Sequence, residues 1–183
     1  MIKEKEMNRK NVSELFNATI EMLALCEKRA KDPNEPKLVP IELTYKLLMN
    51  RDTLKPIVEN MAKAVTFNGD AIKLQEFDGK RREIISRYSK KDENGNPVLI
   101  NNNVEIEVAN VNKANLDLSK LIDEYKETLE QKKSFDDEAE KFLSEQIKIS
   151  VYFIDGSLLF DGIAPSQLSG LMPVLEGLDK LGY

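Results

Sequence analysis

The chain of 183 residues contains no histidine, no tryptophan and a single cysteine. Histidine is the usual proton-transfer group near neutral pH and the commonest metal ligand. Its absence excludes Ser-His-Asp and Cys-His catalytic sets and histidine-based metal sites. One cysteine cannot form an internal disulfide, so no such cross-link stabilises the fold. No run of residues is long and apolar enough to span a bilayer. The segment Met1–Lys10 is polar and of mixed charge, with no apolar signal core. A glycine-rich phosphate loop and a serine nucleophile elbow are missing as well. Together these absences lead us to expect a non-enzymatic protein with no cofactor and no metal, placed in a reducing cytoplasm and off the membrane.

What remains is rich in charge. Hydrophobic residues make up 41% and charged residues 32%, a balance typical of soluble, mainly helical globular chains. A chain of this length buries about 70% of its unfolded surface. The net charge of −5 conceals an asymmetry: residues 1–93 carry 19 Lys+Arg against 16 Asp+Glu, and residues 94–183 carry 8 against 16. Such a chain can pair its halves, offer an acidic face to a basic partner, or solvate its helices.

Apolar periodicity marks a first helix from Val12 to about Ala30, with Leu15, Phe16, Ile20, Leu23 and Cys26 on one stripe and Asn11 or Ser13 as its cap. Pro33 and Pro36 end it in an extended linker. A short helix with Pro40 at its first position carries Ile41, Leu43, Tyr45, Leu47 and Leu48. Another opens at Asp52 with Pro56 near its first turn, and a third runs from Ala71 to Ser89. The turn at Asp92–Pro97 and the alternation of Val104, Ile106 and Val108 indicate a small two-stranded element. Leu118, Leu121, Ile122, Tyr125 and Leu129 mark the longest helix, with a break and restart expected at Ser134. Ile147–Ile154 is the strongest strand, with Leu158–Phe160 its expected partner, and a terminal helix starts at Pro165. The expected fold is a predominantly helical α+β domain of five or six helices with a small antiparallel sheet, involving residues 104–108 and 147–154. Residues 1–39 form an N-terminal helix and linker, and residues 40–183 the main domain.

Three surfaces are candidates for binding. Lys80, Arg81, Arg82 and Arg87 form the one basic cluster, suited to phosphates, but interleaved acids weaken its field. Asp123, Glu124, Glu127, Glu130, Asp136 and Asp137 lie in an acidic run with ten carboxylates and five lysines between Leu116 and Gln146. That run reads as solvated helix faces or as a partner surface, including an imitation of a nucleic-acid backbone. The stripe Leu15, Phe16, Ile20 and Leu23 needs burial, either on the chain's own core or in a homodimer.

The order of these pieces resembles a family of uncharacterised small bacteriophage and prophage proteins. The likeness is carried by Tyr88–Val98 with its Asp92–Pro97 turn, the following asparagines, the acidic helix, the strand at Ile147–Ile154 and Leu168–Leu175. It covers about Ile41 to Leu178. The resemblance implies a viral origin and a cytoplasmic or virion setting, and supplies no catalytic residues. The expected function is protein–protein interaction, as an assembly component or a modulator of a host protein. The alternatives are an acidic decoy of a nucleic-acid-binding or defence enzyme, and a nucleic-acid-binding accessory.

Overall fold

The first helix starts earlier than its apolar stripe suggests, because Asn8 caps it: the Asn8 side chain accepts the Asn11 N–H at 2.8 Å. That satisfies one of the donors a helix start leaves free. In a computed structural model, which describes residues 2–32, 38–101, 103–160 and 163–177, six α-helices and six short strands are present among the described residues. Contacts divide the chain into two units, residues 1–66 with 139–183 and residues 67–138. The expected linker at residues 33–37 and the apolar position at Leu178 lie outside the described residues.

In the first unit, β1 (Ile2–Asn8) leads into α1 (Arg9–Ala30), and α2 spans Ile41–Ala64. β1 pairs antiparallel with β4 (Gln146–Tyr152), Ile2 facing Tyr152 and Asn8 facing Gln146. The expected sheet is corrected here: the partner of residues 147–152 is this polar strand. Residues 156–158 form a turn of 3-10 helix and not a partner strand. α2 is one helix, not two; Pro56 sits within it. The missing Pro56 N–H is offset by burial of Leu54 before it and Met61 after it. β5 (Ile154–Asp155) pairs in parallel with β6 (Leu175–Glu176). Between them α6 (Pro165–Leu171) ends in a 3-10 turn at Met172–Val174.

The core of this unit gathers Val12, Leu15 and Met22 from α1, Leu43, Leu47 and Leu54 from α2, and Ile149, Val151, Ile154, Leu171 and Val174. Gly170 lets α6 approach α1 closely: a Cβ there would lie 2.5 Å from that of Ala18. Arg9 anchors the start of α1. Its guanidinium donates to the Phe142 carbonyl at 2.9 Å, pairs with Glu145 and stacks 3.9 Å from the Phe142 ring centroid.

In the second unit, α3 (Ala71–Tyr88) is capped by Asp70, which accepts the Lys73 N–H at 2.9 Å. It packs on α4 (Val111–Glu124), with the Phe77 and Tyr125 rings 5.7 Å apart. Gly79 does not interrupt α3. Between the helices lies the expected hairpin, β2 (Leu99–Ile100) with β3 (Asn103–Val104), extended by bridges Ser89–Ile106 and Lys91–Pro97. Asp92 holds the turn by accepting the N–H groups of Asn94 and Asn96 at 2.9 and 2.8 Å, and Gly95 supplies a φ of 82°. The helical break falls at Tyr125 and not at Ser134, since α5 runs unbroken over Lys126–Ser144. Tyr125 is buried where the chain changes helix, and its ring packing fixes that point.

Candidate interaction groove between the first two helices

α1 and α2, joined through residues 31–40, enclose between them a cavity of about 1030 Å³. α1 contributes Ile20, Leu23, Ala24, Glu27 and Ala30 to its lining. α2 contributes Ile41, Thr44, Tyr45, Leu48 and Arg51. Both sets follow the spacing i, i+3, i+4, i+7, i+10, which places each on one helix face. Leu38 and Val39 close the end next to the connection, and Cys26 forms part of the floor. The walls stay open to water: Leu38 is 96% exposed, Ile41 87%, Tyr45 53% and Ile20 39%.

The charges at this groove are paired within the chain. Glu27 pairs with Lys31, Glu42 with Lys46 at 2.7 Å and Arg51 with Asp52 at 2.7 Å. The Lys31 hydrogen bond and charge hold the Glu27 carboxyl below its ordinary range. Burial pushes the Cys26 thiol up, an effect that the charge of Arg29 partly opposes. A thiol so placed is a poor nucleophile. The site can bind an apolar surface, and among the described residues no nucleophile–base pair converges on it.

The residues singled out from the sequence are distributed differently. Leu15 is fully buried in the chain's own core, and Phe16 packs against that core. Ile20 and Leu23 line the groove. Asp123 and Glu124 end α4, while Glu127, Glu130, Asp136 and Asp137 are spread along α5, all exposed. Glu124 pairs with Lys80 at 2.6 Å, Glu130 with Lys126 at 4.0 Å and Asp136 with Lys132. Among the described residues no three His, Cys, Asp or Glu side chains gather as a metal-holding group.

In the basic cluster, Arg87 lies 3.8 Å from Asp117, which also accepts the Tyr88 hydroxyl at 2.7 Å and raises its pKa. Glu124 and Tyr125 raise the pKa of Lys80, which lies over the Tyr125 ring. Arg81 and Arg82 are exposed.

The α2 wall is what sequence reasoning missed. Leu43 and Leu47 mark the core face of that helix, whereas Ile41, Tyr45 and Leu48 form a second apolar face at i, i+4, i+7. That second stripe was the available signal. No helix among the described residues is long and apolar enough to cross a membrane. No protein-family model matches the chain, and neither a curated protein nor a solved structure matches it.

Proposed function

We propose that this chain is a non-enzymatic protein that acts through protein–protein contacts, with the α1–α2 groove as its contact surface. The observation that carries this reading is the open apolar trough itself, walled by Ile41 and Tyr45 on one helix and Ile20 on the other. Pockets for small ligands bury most of their guest, whereas walls this exposed leave a small guest largely in water. Covering the exposed parts of Ile20, Leu38, Ile41 and Tyr45 is worth about 4–8 kcal/mol. Association costs about 4–15 kcal/mol, so the occupant brings an apolar face of its own. A helix laid in a groove is the common protein form of such an occupant.

The role as a bacteriophage-type assembly component, or as a modulator of a host protein, rests on the resemblance noted above. The decoy reading is less favoured, because Glu124, Glu130 and Asp136 are neutralised by lysines of the same chain. The nucleic-acid reading loses Lys80 and Arg87 to Glu124 and Asp117 in the same way.

A photoreactive amino acid in place of Tyr45, in the full chain expressed in bacterial cells, tests the proposal. Covalent adducts of protein mass that disappear with Ile41→Asp support it. Labelling by water or small molecules alone overturns it.

A further inference from the structure

We propose that Asn68 is a site of self-modification: the backbone nitrogen of Gly69 attacks its side-chain amide, which is lost as ammonia and replaced by aspartate and isoaspartate. The inference is independent of the groove and of what occupies it. Asparagine is among the thermolabile side chains. A following glycine, with no Cβ beside the attacking nitrogen, leaves the approach open. The chain holds two such pairs, Asn68–Gly69 and Asn94–Gly95. Both are exposed, and as dipeptides they are identical. Their surroundings separate them.

At Asn94–Gly95 the attacking nitrogen is occupied. The Gly95 N–H donates to the Asp92 carbonyl at 3.0 Å. The Asp92 carboxylate accepts the Asn94 and Asn96 N–H groups on either side at 2.9 and 2.8 Å. Attack on Asn94 Cγ requires the Gly95 nitrogen to give up its proton and turn towards the side chain, so this turn must first come apart. At Asn68–Gly69 nothing has to break. Among the described residues no acceptor holds the Gly69 N–H, and the Asn68 side chain makes no hydrogen bond.

Packing fixes the glycine in this exposed place. The Phe67 ring fills the space that a side chain on Gly69 would need, so a Cβ there would collide with it. That ring meets Phe135 edge-on at 5.3 Å and lies under the Lys132 ammonium at 5.6 Å. The residue that opens Asn68 to attack is thus the one that lets Phe67 take its seat.

The reaction needs only water. Hydroxide takes the Gly69 amide proton, and the nitrogen bonds to Asn68 Cγ. The bond from Cγ to the side-chain nitrogen breaks, and the departing nitrogen takes a proton from water to leave as ammonia. Water then opens the cyclic imide at either carbonyl. One opening gives aspartate; the other gives isoaspartate, with the main chain running through the former side chain and longer by a methylene. Holding both reacting groups in adjacent residues supplies the proximity. Either product sets a new carboxylate two residues before Asp70, which caps α3 by accepting the Lys73 N–H at 2.9 Å.

Peptide mapping by mass spectrometry on the full chain, aged at mildly alkaline pH, tests this site by site. Asn68 is expected to convert about tenfold faster than Asn94, the rate equivalent of the hydrogen bond that holds Gly95. In the urea-unfolded chain the two rates come together. Asp92→Ala, which dissolves the turn, brings Asn94 up towards Asn68 and leaves Asn68 unchanged. Equal native rates at the two sites, or a faster Asn94, overturn the proposal, as does an Asn68 that stays intact while the unfolded chain converts. Aspartate without isoaspartate at position 68, told apart by electron-transfer fragmentation, means direct hydrolysis and overturns the attack by Gly69. An Asn94 that stays slow in Asp92→Ala overturns the turn as its guard.

Discussion

Asn50 on α2 closes two hydrogen bonds on the backbone of one residue of β4. Its Nδ2 donates to the Tyr152 carbonyl at 2.9 Å, and its Oδ1 accepts the Tyr152 N–H at 2.6 Å. Asn50 is fully buried, so the amide acts as a neighbouring strand does, satisfying both backbone groups where no strand is present. A buried backbone group left unpaired costs about 1–3 kcal/mol. Asn50→Leu should therefore lower stability by about 2–4 kcal/mol, read from urea unfolding. Asn50→Asp should cost at least as much, since it sets an acceptor against the Tyr152 carbonyl. A loss under about 0.5 kcal/mol, the usual range of a surface change, would falsify the clamp.

Gly170→Ala should destabilise the protein by about 1–3 kcal/mol, as over-packing does. The added methyl falls on Ala18. In an Ala18→Gly background the same substitution should become nearly neutral. Additive effects in that double-mutant cycle are the outcome that rejects the contact.

The Asp92 turn should loosen in acid. Hydrogen bonds from the Asn96 and Asn94 backbone hold its carboxyl below the ordinary value. A group depressed in the folded state stabilises fully above its unfolded pKa of about 3.9. That contribution is lost as pH falls through the folded pKa. Nuclear magnetic resonance should show the Asn94 and Asn96 amides titrating with a midpoint below that of a free aspartate, and Asp92→Ala should remove the transition. A midpoint at or above the free value counts against the turn.

The one thiol should report on burial. Cys26 is 3% exposed and its pKa is raised, so a disulfide reagent should label the native protein about 100-fold more slowly than the urea-unfolded chain, because the thiolate is both scarce and covered. Equal rates would mean that the floor of the groove is open.

The helical character, the Asp92 turn and the residues 71–88 helix are legible because each is specified locally, by 3.6-residue periodicity or by turn chemistry. β1 is not. Lys3, Glu4, Lys5 and Glu6 provide no apolar alternation, and the strand exists through pairing with residues about which its own sequence is silent. Pro56 suggests a boundary, but core contacts on both sides of it carry α2 through. Leu15 and Ile20 share one helical stripe in the sequence. Only the packed structure separates the fully buried residue from the one left at the groove. The α2 half of the groove is obscured because Ile41, Tyr45 and Leu48 interleave with the core positions Leu43 and Leu47, blurring two faces into one apolar run.

The pairing of β1 with β4 also sets a schedule. Residues 2–8 leave the ribosome long before residues 146–152, and the whole second unit is synthesised between them. At about 5–20 residues per second, β1 waits about 7–30 s for its partner. Throughout that interval it is an unpaired strand, the kind of segment that recruits neighbouring nascent chains. The Lys-Glu-Lys-Glu alternation that makes β1 hard to recognise is therefore also its protection: charge on both faces keeps it soluble until its partner arrives.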